Sequence, residues 1–285
     1  MILTDPELAV VAAEAGAAVV RARFGGPLER FDKSPGDFAT AADLESERAV
    51  LDVLRRARPH DAVLGEESGH TGSRSADRTW LVDPLCGTLN YAARTPLVAV
   101  NVALRTGPEV TAAAVADPFA GEVFWFGDGR AAQIRRDGVD EPLAPSASSR
   151  LVDVNLDPPF PNAPAFRATG MLADAEFAAR FGPRVLSTTL AVAWVAAGRR
   201  AAYVTDGDLR DSVHFAGGIA LCQAAGCVVT GLRGQPPHTG VGGLIVAADA
   251  ETHAALLAVV DRQFRGRRSE RRPGPERRRR PATRW

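Results

Sequence analysis

Helix-like and strand-like segments alternate along the whole chain, and that order admits few architectures. Residues 5–23 carry an alanine- and glutamate-rich helical pattern, with Asp5 as the expected N-cap and Pro6 at the first helical position. Residues 40–57 form a second helical pattern, with Leu44, Ala49, Leu51 and Leu54 roughly on one face, and Arg58-Pro59 ends it. Short strand-like runs follow at 62–65, 78–84, 97–105, 110–117 and 123–126, with turn signals between them. Beyond a stretch rich in Pro, Ser and Asp at 137–165, helices are expected at 188–198, 211–225 and 251–263. Strands are expected there at 201–205, 227–230 and 243–248, and Asp211 reads as the N-cap of its helix. Mixed elements in both halves predict an α/β layered sandwich without internal repeats. The 137–165 stretch divides it into subdomains over 1–145 and 146–264.

Charge adds a second division. The 285-residue chain is formally neutral, yet residues 265–285 hold ten arginines against Glu270 and Glu276, a net +8, which leaves −8 on residues 1–264. The tail has no apolar periodicity and is expected to be disordered. The acidic body argues against a nucleic-acid-binding surface and suits a protein that holds cations or one with an ordinary solvated surface. Three cysteines without paired spacing argue against a disulfide scaffold and for a reducing, cytoplasmic setting. No apolar run is long enough to span a membrane.

The chemistry is expected where acidic residues close strands and small residues open helices. Glu66 and Glu67 close one strand and Asp83 closes another, followed by Pro84-Leu85-Cys86-Gly87-Thr88. The turn exposes the Leu85 carbonyl, and Gly87 lets backbone N–H groups approach a ligand. Asp43 lies where it could orient a hydroxyl. Carboxylates with a carbonyl make a hard oxygen site suited to Mg²⁺, and N–H groups beside it suit a phosphate.

Five segments, taken in order, carry a family resemblance. They are Lys33-Ser34-Pro35-Gly36-Asp37 with Thr40-Ala41-Ala42-Asp43, then Leu64-Gly65-Glu66-Glu67-Ser68, then the run from Trp80 through Asp83-Pro84-Leu85-Cys86-Gly87-Thr88 to Tyr91. Trp194-Val195-Ala196-Ala197-Gly198 and the run from Asp211 through His214 to Gly218 complete them. The chain resembles the inositol monophosphatase family, within the lithium-sensitive phosphatases that include fructose bisphosphatase. The resemblance implies a layered αβαβα sandwich, a cytoplasmic homodimer and hydrolysis of a small phosphorylated metabolite by a metal-oriented water. It implies Glu66, Asp83 and the Leu85 carbonyl as ligands of a first metal, with Glu66 also counted among the catalytic groups. Thr88 and Asp43 would deprotonate the water. Gly87, Thr88 and Lys33, the sole lysine, would hold phosphate.

Two departures stand out. The family's Asp-Pro-x-Asp-Gly-Thr motif has Cys86 at its second Asp, and its Trp-Asp before the C-terminal helix is Val213-His214 here. Both lost carboxylates would hold a second metal. Three readings stay open. Cys86 and His214 are ligands that favour Zn²⁺, Fe²⁺ or Mn²⁺ over Mg²⁺; the second metal is lost; or the chain is a pseudoenzyme that binds a phosphometabolite or a partner. Glu67 reads as solvated, Cys222 and Cys227 as core residues, and Trp125 and Trp194 as core. The segment 201–210, expected to shape the substrate pocket, lacks the glutamate expected for inositol.

Overall fold

The computed structural model describes residues 3–34 and 37–270, the last four by backbone alone. Helix α1 (Asp5–Arg23) begins at the expected place, but Thr4 occupies the cap position and Asp5 is already helical. The Asp5 carboxylate is committed to Arg58 at 2.9 Å and Arg78 at 3.0 Å, which explains why it does not cap. A hairpin of β1 (Arg30–Ser34) and β2 (Asp37–Thr40) leads into α2 (Ala41–Ala57). Thr40 caps α2 through a reciprocal capping box with Asp43.

The buried face of α2 differs from the expected one. It consists of Ala42, Asp43, Ser46, Glu47, Val50, Leu51 and Leu54, whereas Leu44 and Ala49 lie at its margin. Three polar residues therefore point inward, because the end of the neighbouring sheet supplies partners for them.

That sheet comprises β3 (Ala62–Gly65), β4 (Gly69–Thr71), β5 (Arg78–Cys86), then, after the short helix α3 (Thr88–Ala92), β6 (Ala99–Thr106), β7 (Glu109–Asp117), β8 (Glu122–Gly127), β9 (Gln133–Arg136) and β10 (Val139–Pro142). Its order is β10-β9-β8-β7-β6-β5-β3-β4; β3 and β5 run parallel and all other neighbours antiparallel. A second sheet is built from β11 (Leu151–Asn155), β12 (Gly182–Val185), β13 (Ala202–Thr205), β14 (Val228–Thr230) and β15 (Leu244–Ala247), in the order β12-β11-β13-β15-β14. One of its strands, β11, and β10 of the large sheet lie within 137–165, the stretch read from sequence as a subdomain boundary. The remaining helices are α4 (Ala175–Arg180), α5 (Leu190–Ala196), α6 (Ala216–Ala224) and α7 (Ala250–Glu270).

Three apolar cores stack these elements into five layers, an αβαβα sandwich. The first joins α1 and α2 to one face of the large sheet around Leu8, Leu54, Trp80 and Trp125. The second traps α5 and α6 between the two sheets, with Phe124, Leu190, Val192, Tyr203 and Cys222 at its centre. The third seals the outer face of the small sheet under α7 through Phe166, Phe177, Ile245 and Val260. Each fully buried large apolar side chain contributes about 1.5–3 kcal/mol relative to exposure.

Two further expectations change. Helix α6 begins at Ala216 rather than 211. Asp211 has φ +56°, outside the helical region, and faces Arg105 at 3.6 Å, so it caps nothing. Helix α7 runs through Glu270, past the point where the arginine-rich tail was expected to lose structure; residues 271–285 of that tail lie outside the described residues. Among the described residues no helix is long and apolar enough to cross a membrane.

Gly16 marks the closest approach of α1 to α2. A Cβ there would lie 2.8 Å from both Ser46 Oγ and Val50 Cγ2, and Ser46 Oγ itself donates to the Pro84 carbonyl at 2.8 Å. Gly16→Val is expected to cost about 1–3 kcal/mol by overpacking. Denaturant titration measures it, and unchanged stability would contradict this crossing.

Candidate active site

Parallel pairing of β3 with β5 brings their C-terminal ends together. Gly65 pairs with Val82, so Glu66 and Asp83 emerge side by side, and the Glu66 N–H donates to the Val82 carbonyl at 3.0 Å. Ligand sites at such strand ends are common because loops and helix starts converge there. Glu47, buried on α2, accepts hydrogen bonds from the N–H groups of Glu67 at 2.8 Å and Ser68 at 2.9 Å, fixing the turn that carries Glu66.

Asp83 is fully buried. Its Oδ1 accepts from the Leu85 N–H at 3.1 Å; its Oδ2 accepts from Asn101 Nδ2 at 3.1 Å and lies 2.8 Å from His214 Nδ1. Asn101 in turn donates to Thr189 Oγ1 at 2.9 Å. The β5–β6 register shifts between Asp83 and Cys86, and that irregularity turns the strand end into the cleft.

Gly87 follows at φ +100°, and a Cβ on it would lie 2.9 Å from the Leu97 carbonyl. Only glycine fits both demands. The turn releases the N–H groups of Gly87 and Thr88 at the start of α3, where they have no intrahelical acceptor. The Thr88 hydroxyl lies 3.0 Å from Asp43 Oδ1 and 3.3 Å from the Leu85 carbonyl. Asp43 Oδ2 is occupied by the Thr40 N–H at 2.8 Å and the Thr40 hydroxyl at 2.6 Å. Burial pushes the Asp43 carboxyl above its usual range, against the pull of these hydrogen bonds.

Lys33 reaches in from the β1 hairpin, with Nζ 3.0 Å from Glu66 Oε1 and 2.7 Å from Glu67 Oε1. Lys33 thus faces carboxylates. Glu67, read from sequence as solvated, has only 6% of its side chain exposed, because Lys33 pairs with it. Glu66 Oε2 is buried and, among the described residues, has no hydrogen-bond partner.

Burial and the neighbouring carboxylates dominate the electrostatics at this corner. Burial, then the Asp83 charge, raises the Glu66 carboxyl to about 8. Burial alone would raise Asp83 too, but the facing His214 charge and its hydrogen bonds hold it below the usual range. Burial opposes a charge on His214, and Asp83 more than compensates, raising His214 to about 12. Burial and the Asp83 charge push the Cys86 thiol up. An unpartnered buried oxygen beside a second carboxylate fits a cation held by Glu66, Asp83 and the Leu85 carbonyl.

The cleft above this floor has a volume of about 390 Å³. Its lining includes Glu66, Cys86, Thr88 and His214 together with Asn155, Asp157, Thr205 and Asp208. Thr205 and Asp208 belong to the segment 201–210 singled out from sequence. The structure brings together Asp43, Glu66, Asp83, Leu85, Cys86, Gly87, Thr88 and His214, while Lys33 meets the group only through Glu66. Sequence reasoning missed Glu47, Ser46, Asn101 and Thr189, whose partners are remote in sequence. Only Thr40 left a local signal, the Thr-x-x-Asp spacing of a capping box.

The inositol monophosphatase family model matches residues 5–264. The chain is 31% identical over 241 residues to the inositol-1-monophosphatase of Caulobacter vibrioides, covering 81% of this chain and 90% of that one. It is 31% identical over 264 residues to the Nus factor SuhB of Escherichia coli strain K12, covering 88% and 93%. The extragenic suppressor protein suhB structure from Bartonella henselae superposes with a TM-score of 0.77 at 25% identity, over 89% of this chain and 96% of that one.

A divalent cation held at Glu66 would need it as a carboxylate, and the group otherwise keeps its proton below about 8. Mg²⁺ affinity measured by calorimetry is therefore expected to strengthen as pH rises toward about 8 and then level off, whereas Glu66→Gln is expected to lose that rise and stay near the low-pH affinity. A flat pH profile would count against Glu66 as a ligand.

Proposed function

The chain belongs to the inositol monophosphatase family, and from that premise we propose that it hydrolyses a small-molecule phosphate monoester with a divalent cation. The substrate class is an inositol-phosphate-like, sugar or nucleotide phosphate. The observation that carries this reading is the buried, unpartnered Glu66 Oε2 beside Asp83, next to the Thr88–Asp43 pair.

Glu66, Asp83 and the Leu85 carbonyl would hold the cation, a hard oxygen set that suits Mg²⁺, with Mn²⁺ as the alternative. When bound, it would neutralise phosphoryl oxygens and acidify a water. The chain's own groups do the rest. The Thr88 hydroxyl donates to Asp43 at 3.0 Å, which leaves the oxygen's lone pairs to accept a proton from the attacking water. Asp43, aimed by Thr40 and made more basic by burial, receives the proton Thr88 passes on. N–H groups of Gly87 and Thr88 hold phosphoryl oxygens. Asn155, Asp157, Thr205 and Asp208 offer hydrogen-bonding groups to the leaving portion. Lys33 contributes by screening Glu66 and Glu67 rather than by touching the ester. The assembly we propose is a homodimer, expected by light scattering at twice the 30.1 kDa chain mass.

A second reading, a binding protein without turnover, is favoured by Cys86 and His214 standing where the family carries carboxylates. One relative bears the name of a Nus factor rather than of a phosphatase. A panel of phosphate monoesters with Mg²⁺, Mn²⁺ and Zn²⁺ in parallel decides between them. Turnover is expected, with Thr88→Ala lowering kcat by about 10²–10⁴-fold at little change in KM. Tight binding of phosphometabolites without turnover under any metal would favour the second reading.

A further inference from the structure

In a regular strand, residues three apart point to opposite faces. Asp83 and Cys86 do not, because the β5–β6 register shifts between them. The turn before α6 adds His214 from 131 residues away, its Nδ1 2.8 Å from Asp83 Oδ2. One carboxylate oxygen, the Cys86 sulfur and one His214 ring nitrogen all lie within 4.8 Å of one another. Zinc bond lengths of about 2.0–2.3 Å separate tetrahedral ligand atoms by roughly 3.3–3.8 Å, so little movement is needed to close these three on one ion. Asn101 and Thr189 back the cluster from behind, as outer partners of metal ligands do. Glu66 Oε2, buried and 3.8 Å from His214 Nδ1, supplies a fourth ligand atom, the second oxygen of the set.

We infer that Asp83, Cys86 and His214 form a site for a thiophilic divalent cation, Zn²⁺ or Fe²⁺, in place of a second hard-oxygen Mg²⁺ site. Mg²⁺ demands near-octahedral oxygen and keeps its waters, whereas thiolate with imidazole selects softer ions. On binding, the metal–sulfur bond replaces the S–H bond of Cys86, and that proton, with any on the ligating His214 nitrogen, leaves to solvent. The inference rests on the phosphatase reading only in that both use Asp83 and Glu66. Cys222 and Cys227 are buried in the core between the sheets, which makes Cys86 the more exposed thiol of the three.

The test titrates the metal-free full chain with Co²⁺ as a spectroscopic probe and then displaces it with Zn²⁺. A thiolate-to-cobalt charge-transfer band saturating at one equivalent is expected, lost in Cys86→Ser. Zn²⁺ affinity should fall by at least about tenfold in His214→Ala, the scale on which even outer partners act. If Cys86→Ser does not fold, alkylation of the unaltered chain serves instead: Zn²⁺ but not Mg²⁺ should protect the Cys86 peptide. Absence of the band, its persistence in folded Cys86→Ser, or equal protection by both metals overturns the inference. Monoester turnover measured on the same samples separates the two ideas. Turnover with Mg²⁺ but no thiolate band sinks this site and leaves the phosphatase; the band without turnover under any metal does the reverse.

Discussion

The buried carboxylate of Asp83 is the constraint around which the rest is arranged. A fully buried charge is costly unless it is paired and hydrogen-bonded. Here the Leu85 N–H, the Asn101 amide and the His214 ring all converge on it. Those three partners come from the end of β5, from β6 and from the turn before α6. Satisfying one side chain thereby fixes the irregular strand end, the neighbouring strand and the approach of the helix sandwiched between the sheets. The same geometry leaves Glu66 Oε2 without a hydrogen bond among the described residues. The corner thus gathers two buried carboxylates, with Lys33 facing Glu66 and His214 facing Asp83.

Helix α2 plays a comparable part on the other flank. A surface helix ordinarily buries an apolar stripe. This one buries Asp43, Ser46 and Glu47 among Ala42, Val50, Leu51 and Leu54. Each polar side chain serves a different piece of the site: Asp43 meets Thr88, Ser46 holds the Pro84 carbonyl, and Glu47 ties down the turn after Glu66. The close crossing at Gly16 lets α1 cover that helix without displacing it. Stability and site geometry are coupled through a single helix face, since the groups that aim the site are the groups whose burial must be compensated.

Much of this was legible along the chain. Strand and helix periods located α1, β3, β5, β7, β8, α5, β13 and β15 within a few residues, because burial of one face imposes a period on local sequence. The acidic residues at strand ends, with Gly87 and Thr88 after them, pointed to the site because they lie within one turn of each other. Other features escaped for definite reasons. Leu44 and Ala49 were assigned to the core face of α2 by apolar pattern, which cannot register that polar residues will find buried partners. Asp211 resembled a helix cap, but its left-handed backbone and the Arg105 contact set the helix start five residues later. Glu67 looked solvated because Lys33, its partner, is 34 residues distant.

The sequence by itself determined the layered α/β class, the family resemblance and the residue types that replace the second pair of carboxylates. These are local properties: periodicity, turn chemistry and short motifs survive in one dimension. Whether Cys86 and His214 face the same point as Asp83 was decided only by the tertiary structure. That depends on a register shift in β5 and on how the turn before α6 packs across the sheet end. Contacts spanning 131 residues are set by the packing of whole layers, which no local pattern encodes.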